Sequence, residues 1–155
     1  MAIIERGTSK MRAAIQSVLV LTLILSTAAA VAQQAVEFDR YEVHYSSLNT
    51  NMLSPDVASV YGIQRSGTQA MLNVTVLDRE TGAPVVARVS ATATNLTGQR
   101  REISLRQIND QGAIYYIGQF RIHNEETLNF VLDVIPEGHQ GAPLNFSFRQ
   151  QFFTG

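Results

Sequence analysis

Residues 70–93 read AMLNVTVLDRETGAPVVARVSATA, and this stretch decides the fold. Apolar and polar residues alternate in both of its halves, which is the period expected for strands with one buried face. The apolar positions are Leu72, Val74, Val76, Val85, Ala87, Val89 and Ala91. Between the halves, Thr81-Gly82 supplies the backbone freedom of a turn, and Pro84 suits the first residue of a strand because it has no N–H to donate. The stretch therefore predicts two consecutive strands.

Four further segments alternate in the same way, at 41–45, 102–106, 128–134 and 144–152. Residues 113–122 carry apolar side chains on both faces, which predicts a strand that is covered on both sides. Asn109-Asp110-Gln111-Gly112 has the composition of a hairpin loop. Ser54-Pro55-Asp56 resembles a helix N-terminus, so we expect one short helix over 55–60 that ends near Gly62. Seven strand-like segments with short connections predict an all-β fold, a single antiparallel β-sandwich of immunoglobulin-like type with about seven strands.

The N-terminus has a different composition from the rest of the chain. Lys10 and Arg12 precede an uncharged apolar run, which ends in the small residues Ala30-Val31-Ala32. This order predicts a signal peptide over 1–32, cleaved after Ala32, and a mature domain over 33–155. The alternative is an uncleaved anchor, because residues 13–32 are just long enough to span a bilayer. Cleavage predicts a periplasmic protein with no stable membrane anchor.

The composition of the mature domain excludes several functions. Its charge is 9 − 12 = −3, counting arginines against acids over residues 33–155, which argues against nucleic acid and anionic membranes as partners. The chain has no cysteine, and its mature part has no lysine, so cysteine nucleophiles and lysine Schiff bases are excluded. The common catalytic and nucleotide-binding motifs are also missing. We therefore predict a protein that is not an enzyme and has no cofactor.

A polar loop is the most specific candidate site. Tyr61 precedes the loop Gly62-Ile63-Gln64-Arg65-Ser66-Gly67, where an arginine stands beside a serine. Arg65 and Ser66 are suited to capturing a carboxylate or the backbone of a partner. The alternative is that Arg65 only closes the loop by bonding backbone carbonyls. Tyr115-Tyr116 leaves two readings open as well, a stacking platform for sugars or packing within a central strand.

His44 is the candidate residue for a metal. It alternates with Tyr41, Val43 and Tyr45, which places it on the polar face of the first strand of the mature domain. With Met52 or Met71 it would offer nitrogen and thioether ligands of the kind that bind copper. The alternative is an ordinary exposed histidine, since none of the three histidines shows metal-ligand spacing.

Several short segments together resemble a known family. They are VHYS (43–46), LSPDVA (53–58), YGIQRS (61–66), LNVTVL (72–77), NL (95–96), AIYY (113–116) and FRQQFF (148–153). In this order they resemble the uncharacterised proteobacterial family called domain of unknown function 4426. The resemblance covers the whole mature chain. It implies a small exported protein and the extent of the domain, and it implies no activity, ligand or site residue.

Three hypotheses for function follow. The first is a non-catalytic binding or interaction module of the cell envelope, which engages a protein partner or associates with itself. The second is a periplasmic protein that handles a small ligand or a metal, through His44 and Met52 or through the Arg65 loop. The third is an enzyme, which would require a histidine close to a serine and an acid.

Overall fold

The computed structural model describes residues 34–155, so the predicted signal peptide lies outside the described residues. The described chain forms nine strands: β1 (Gln34–Glu37), β2 (Tyr41–Asn49), β3 (Gln69–Asp78), β4 (Ala87–Asn95), β5 (Arg100–Ile103), β6 (Arg106–Asp110), β7 (Ala113–Arg121), β8 (Glu126–Pro136) and β9 (Leu144–Phe152). A 3-10 helix, Thr50–Met52, and an α-helix, α1 (Pro55–Val60), lie between β2 and β3. No helix in this part of the chain is long and apolar enough to cross a membrane.

The strands form two antiparallel sheets. Sheet A has the order β1-β2-β3-β7-β6, and sheet B has the order β5-β4-β8-β9. The two strands predicted from residues 70–93 lie in different sheets, and their only direct pairing is an isolated bridge between Leu77 and Pro84. The loop after β3 thus carries the chain from one sheet to the other. This architecture confirms the predicted all-β sandwich.

The strand count is nine rather than about seven, for two reasons. β1 pairs with β2 ahead of the first predicted strand. The single strand predicted over 102–106 is also wrong, because the chain leaves sheet B after Ile103 and enters sheet A at Arg106. Gly118 of β7 makes room for this crossing, since a Cβ there would lie 2.7 Å from the Ser104 carbonyl oxygen. Alternation alone cannot reveal a sheet change within five residues.

The core lies between the sheets and is rich in phenylalanine. Phe130 and Phe148 stack with ring centroids 4.5 Å apart, and Phe120 meets Phe130 edge-on at 5.6 Å. Leu72 and Phe130 are fully buried, as the alternation predicts. Each side chain of this size contributes about 1.5–3 kcal/mol to stability through burial.

Two polar clamps hold the ends of the sandwich. The Thr81 backbone N–H and the Arg40 guanidinium both donate to Asp78, and these bonds lower its pKa although burial acts in the opposite direction. Burial raises the pKa of Glu126. Hydrogen bonds from His123 and from the Arg101 guanidinium outweigh this effect, and the pKa of Glu126 is lowered overall. Each clamp therefore favours an ionised carboxylate in the folded state.

Candidate functional site

Helix α1 covers part of the outer face of sheet A, the face turned away from the core. The helix forms as predicted, with Ser54 Oγ accepting the Val57 backbone N–H at 3.3 Å and Pro55 in its first turn. Six residues are too few for a stable isolated helix, so packing against the sheet must hold it. Ala58 supplies that contact in a small buried cluster with Ile63, Met71 and Ile117.

A cleft of about 210 Å³ lies between this segment and the sheet. Its walls are mostly apolar, and two tyrosines, Tyr61 and Tyr115, meet there edge-on with ring centroids 6.3 Å apart. The lining residues are Ser46, Leu48, Leu53, Val57, Tyr61, Ile63, Met71, Asn73, Tyr115 and Ile117. An apolar cleft with a few polar groups is the usual form of a ligand-binding site. We name this cleft, defined by these ten residues, the α1 cleft.

Two buried polar atoms at and beside the α1 cleft are unusual. Ser46 and Asn73 of the cleft face each other across the β2–β3 ladder, and His44 faces Thr75 two rungs further along it. The Asn73 Oδ1 and the His44 Nδ1 are both buried and have no hydrogen-bond partner. Among residues 34–155 these are the only two buried side-chain polar atoms in that condition. Buried polar atoms of native proteins are normally paired, so such atoms need an explanation.

Tyr61 is fixed in its place by the opposite edge of the sheet. Its hydroxyl donates to Asp110 Oδ2 at 2.9 Å, and its carbonyl oxygen accepts from the Arg106 guanidinium. The hydrogen bond to Asp110, followed by burial and the charge of that carboxylate, raises the pKa of Tyr61. The Tyr61 hydroxyl is therefore uncharged at physiological pH, and its ring is held in a fixed position as one wall of the cleft.

Three exposed apolar side chains lie on the chain segment that carries α1, and one of them, Val57, lines the α1 cleft. Met52 is 70% exposed, Val57 42% and Val60 74%. They come from the 3-10 helix and from α1, within nine residues of the sequence. Neighbouring exposed apolar side chains of this size are typical of interaction surfaces. We name these three residues the apolar rim.

The structure separates the four predicted site residues into two groups. Tyr61 lines the α1 cleft, and His44 lies on the same sheet face just beyond Ser46. Arg65 donates to the Asn51 carbonyl oxygen at 3.0 Å, which is the loop-closing arrangement, and Ser66 donates its backbone N–H to Thr50 Oγ1 at 2.9 Å. Arg65 and Ser66 do not line the cleft.

The suggested metal ligands do not converge. His44 faces Thr75 and Leu48 faces Met71, so His44 and Met71 stand four rungs apart on the ladder, a distance of about 13 Å. Met71 is buried beneath α1, and Met52 lies beyond the end of β2. Residues 34–155 contain no group of three histidine, cysteine or acidic side chains able to hold a metal ion.

The enzyme hypothesis requires a histidine close to a serine and an acid, and His44 and His123 each lie close to an acidic side chain. His44 Nε2 lies 3.2 Å from Glu42 Oε1, and His123 Nδ1 lies 3.3 Å from Glu126 Oε2. Within the described range neither ring forms a hydrogen bond to a serine. The arrangement required by the enzyme hypothesis is therefore not formed here.

Sequence reasoning missed Asn73 and Ser46, the polar residues of the cleft. Both occupy ordinary outward positions of alternating strands, where asparagine and serine usually face water. The only signal was the neighbouring helix, since a helix beside a sheet must cover one of its faces. The two adjacent tyrosines lie in different environments. Tyr115 lines the cleft, and Tyr116 is buried, with its hydroxyl accepting the Ala87 N–H at 2.7 Å.

Fold and cleft together define an all-β sandwich with a covered outer sheet face. The model of the family described as Domain of unknown function (DUF4426) matches residues 35–155, and the chain belongs to this family. No protein with a curated description matches the chain.

Three solved structures share this fold. A DUF4426 family protein from Pseudomonas aeruginosa PAO1 is 36% identical, with a TM-score of 0.69 over 78% of this chain and 94% of that one. FetP of uropathogenic Escherichia coli strain F11, expressed recombinantly in the periplasm, is 14% identical, with a TM-score of 0.59 over 79% and 94%. A copper-bound variant of FetP is 13% identical, with a TM-score of 0.57 over 78% and 95%. The two FetP structures are similar in fold.

Proposed function

We propose that this protein is a non-catalytic binding module of the cell envelope, exported by a cleaved signal peptide, and that it engages a protein partner through the surface around helix α1. The observation that carries the proposal is the apolar rim beside the α1 cleft. Val60 and Met52 leave most of their surface exposed to water, which is unfavourable unless a partner covers them. The α1 cleft, which Val57 of the rim lines, is suited to an apolar anchor side chain of that partner.

Composition and charge support the same proposal. The mature domain has no cysteine or lysine and a net charge of 9 − 12 = −3, so it offers neither cysteine nucleophiles or lysine Schiff bases nor attraction to nucleic acid. Copper binding, the property named for the FetP variant, has no support here because His44, Met52 and Met71 lie apart. A metal-handling role is therefore not part of the proposal.

The test is chemical crosslinking in intact cells with two matched variants. Val60→Asp places a charge in the apolar rim, whereas Leu96→Asp places one at a side chain that is 68% exposed in the β4–β5 turn. We expect a crosslinked product with a second protein in the wild type and in Leu96→Asp, and its loss in Val60→Asp. Equal yields from all three proteins would contradict the proposal, as would a product containing only a second copy of the chain.

Export is tested separately by the mass of the protein recovered from the periplasm. Cleavage after Ala32 predicts a chain that begins at Gln33. A protein that retains residues 1–32 and sediments with membranes would support the uncleaved anchor instead.

A further inference from the structure

Two buried polar atoms at and beside the α1 cleft have no hydrogen-bond partner. The only two unpartnered buried side-chain polar atoms of residues 34–155, Asn73 Oδ1 and His44 Nδ1, occupy diagonal positions on this one sheet face. Diagonal neighbours on a ladder lie about 7–8 Å apart, close enough to form one polar patch. Both unpartnered atoms thus lie on the same sheet face as the cleft, which would be an unusual coincidence if their positions were unrelated to it.

One of the two orphan atoms has a fixed role. The Asn73 oxygen is a carbonyl oxygen and accepts only. A group that satisfies this oxygen must therefore supply an N–H or an O–H. A buried carbonyl without a donor is costly, and a ligand that brings the donor recovers that cost.

The shape of the α1 cleft sets the size of the ligand. Its volume of about 210 Å³ is below the range of about 300–1,000 Å³ typical of drug-sized ligands, so it accommodates one compact ring system. Tyr61 and Tyr115 provide aromatic walls, and Tyr61 is held in place by Asp110. Aromatic walls of this kind favour a flat aromatic body in stacked or edge-on contact.

We propose that the anchor group that the α1 cleft receives is a flat aromatic ring that carries one N–H or O–H donor, and that Asn73 Oδ1 accepts from this donor. Asn73 lines the cleft, and the broad rotation about the last bond of an asparagine side chain allows its oxygen to turn toward the ligand. The inference names a ligand class for the site of the proposed function, and it rests on that cleft being a binding site.

Indole and benzofuran are the probes that test the donor. The two molecules have nearly the same shape, but indole carries an N–H where benzofuran carries an oxygen. Titrations followed by two-dimensional NMR of the labelled mature domain give both affinities and the location of binding. We expect indole to bind about tenfold more tightly than benzofuran, with shifts at the Asn73 side-chain amide and at Tyr61 and Tyr115. Equal affinities, or tighter binding of the more apolar benzofuran, would overturn the proposal.

Asn73→Leu and Asn129→Leu form the matched pair of variants. Asn129 lies on the outer face of sheet B, where it accepts from Arg149 at 2.7 Å. Asn73→Leu is expected to abolish the preference for indole, and Asn129→Leu to leave it unchanged. A preference retained in Asn73→Leu would contradict the assignment of Asn73 as the acceptor.

Failure of this inference is distinguishable from failure of the proposed function. If neither probe prefers the α1 cleft but Val60→Asp still loses the crosslinked partner, the ligand class is wrong and the docking surface stands. If indole binds as expected but the variants at Val60 and Leu96 crosslink alike, the cleft is a small-molecule site without a docked protein.

Discussion

The two outer faces of the sandwich are both built from alternating strands, but their polar side chains are satisfied differently. On sheet B, Asn145 donates to Asp133 at 2.8 Å and Arg149 donates to Asn129 at 2.7 Å, so neighbouring strands pair their polar groups. On sheet A, Asn73 and His44 each leave a buried atom without a partner. The first face pairs polar groups across its strands, whereas the second leaves two buried polar atoms unpaired.

The faces also differ in what covers them. Sheet B carries a larger groove of about 420 Å³ beside the short strand β5, but its lining includes polar side chains such as Thr92, Glu102 and Asp133. Sheet A is partly covered by α1, which buries apolar residues beneath it and leaves Val60 exposed above. Local features that do not serve stability are expected at functional sites. This difference supports the proposal that sheet A, rather than the outer face of sheet B, is the binding face.

The largest expected effect on stability comes from a charge placed in the core, between the two sheets. Leu72→Asp buries an unpaired carboxylate at a position with 0% exposure, and the loss of about 3–5 kcal/mol would unfold much of a small domain. Leu96→Asp, at a side chain that is 68% exposed in the β4–β5 turn, should melt close to the wild type. Circular dichroism melts measure both. Equal melting temperatures for Leu72→Asp and the wild type would contradict the register of β3.

The next effect concerns the crossing that joins the two sheets. Gly118→Ala adds a Cβ within 2.7 Å of Ser104 and Ile103, so the β5–β6 connection must shift. Overpacking of this kind costs about 1–3 kcal/mol. Urea unfolding measures the change. A variant as stable as the wild type would show that the crossing is loosely packed.

The end clamps predict how stability depends on pH. The pKa values of Asp78 and Glu126 are lowered in the folded state, so the stability that they contribute is fully present above their unfolded values of about 4 and is lost as the pH falls through the folded values. We expect a melting temperature that is steady from neutral pH to about pH 5 and falls steeply below about pH 4. Asp78→Asn should flatten this acid limb, and an unchanged limb would argue against the Asp78 clamp.

The smallest effect compares the two faces directly. Asn73→Leu removes an unpaired buried carbonyl, so its free energy of unfolding should stay equal to that of the wild type or rise by up to about 1 kcal/mol. Asn129→Leu removes a formed hydrogen bond, so it should lose about 0.5–1.5 kcal/mol. Chemical denaturation of both variants measures the difference. A loss in Asn73→Leu as large as that in Asn129→Leu would show that the faces do not differ in this way.

Much of the fold was predictable from local patterns. The alternation over 70–93, the Ser54-Pro55 helix start and the Gln111-Gly112 hairpin turn, where both residues have positive φ angles, rest on short-range rules and are confirmed. The sheet change after Ile103 was not predictable because both resulting strands keep the same alternation. It depends on Gly118, which comes later in the chain and lies in another strand.

The candidate site was predictable only in part. Tyr61 and His44 were named from the sequence, and the structure places them at or beside the α1 cleft. Asn73 was not named from the sequence. It matters because its buried side-chain oxygen has no hydrogen-bond partner, and this can be seen only in the three-dimensional packing. Arg65 attracted interest as a charged loop residue, but its partner is a backbone carbonyl oxygen, that of Asn51 in the 3-10 helix.

The most direct measurement of the central claim is site-specific photocrosslinking from the two outer faces. A photoreactive side chain is introduced at Val60, beside the α1 cleft, or at Val131, which is 41% exposed on the outer face of sheet B. If sheet A is the binding face, irradiation of living cells will give a product with a second protein from position 60 and none from position 131. A product from position 131 alone, or equal products from both positions, would contradict the account.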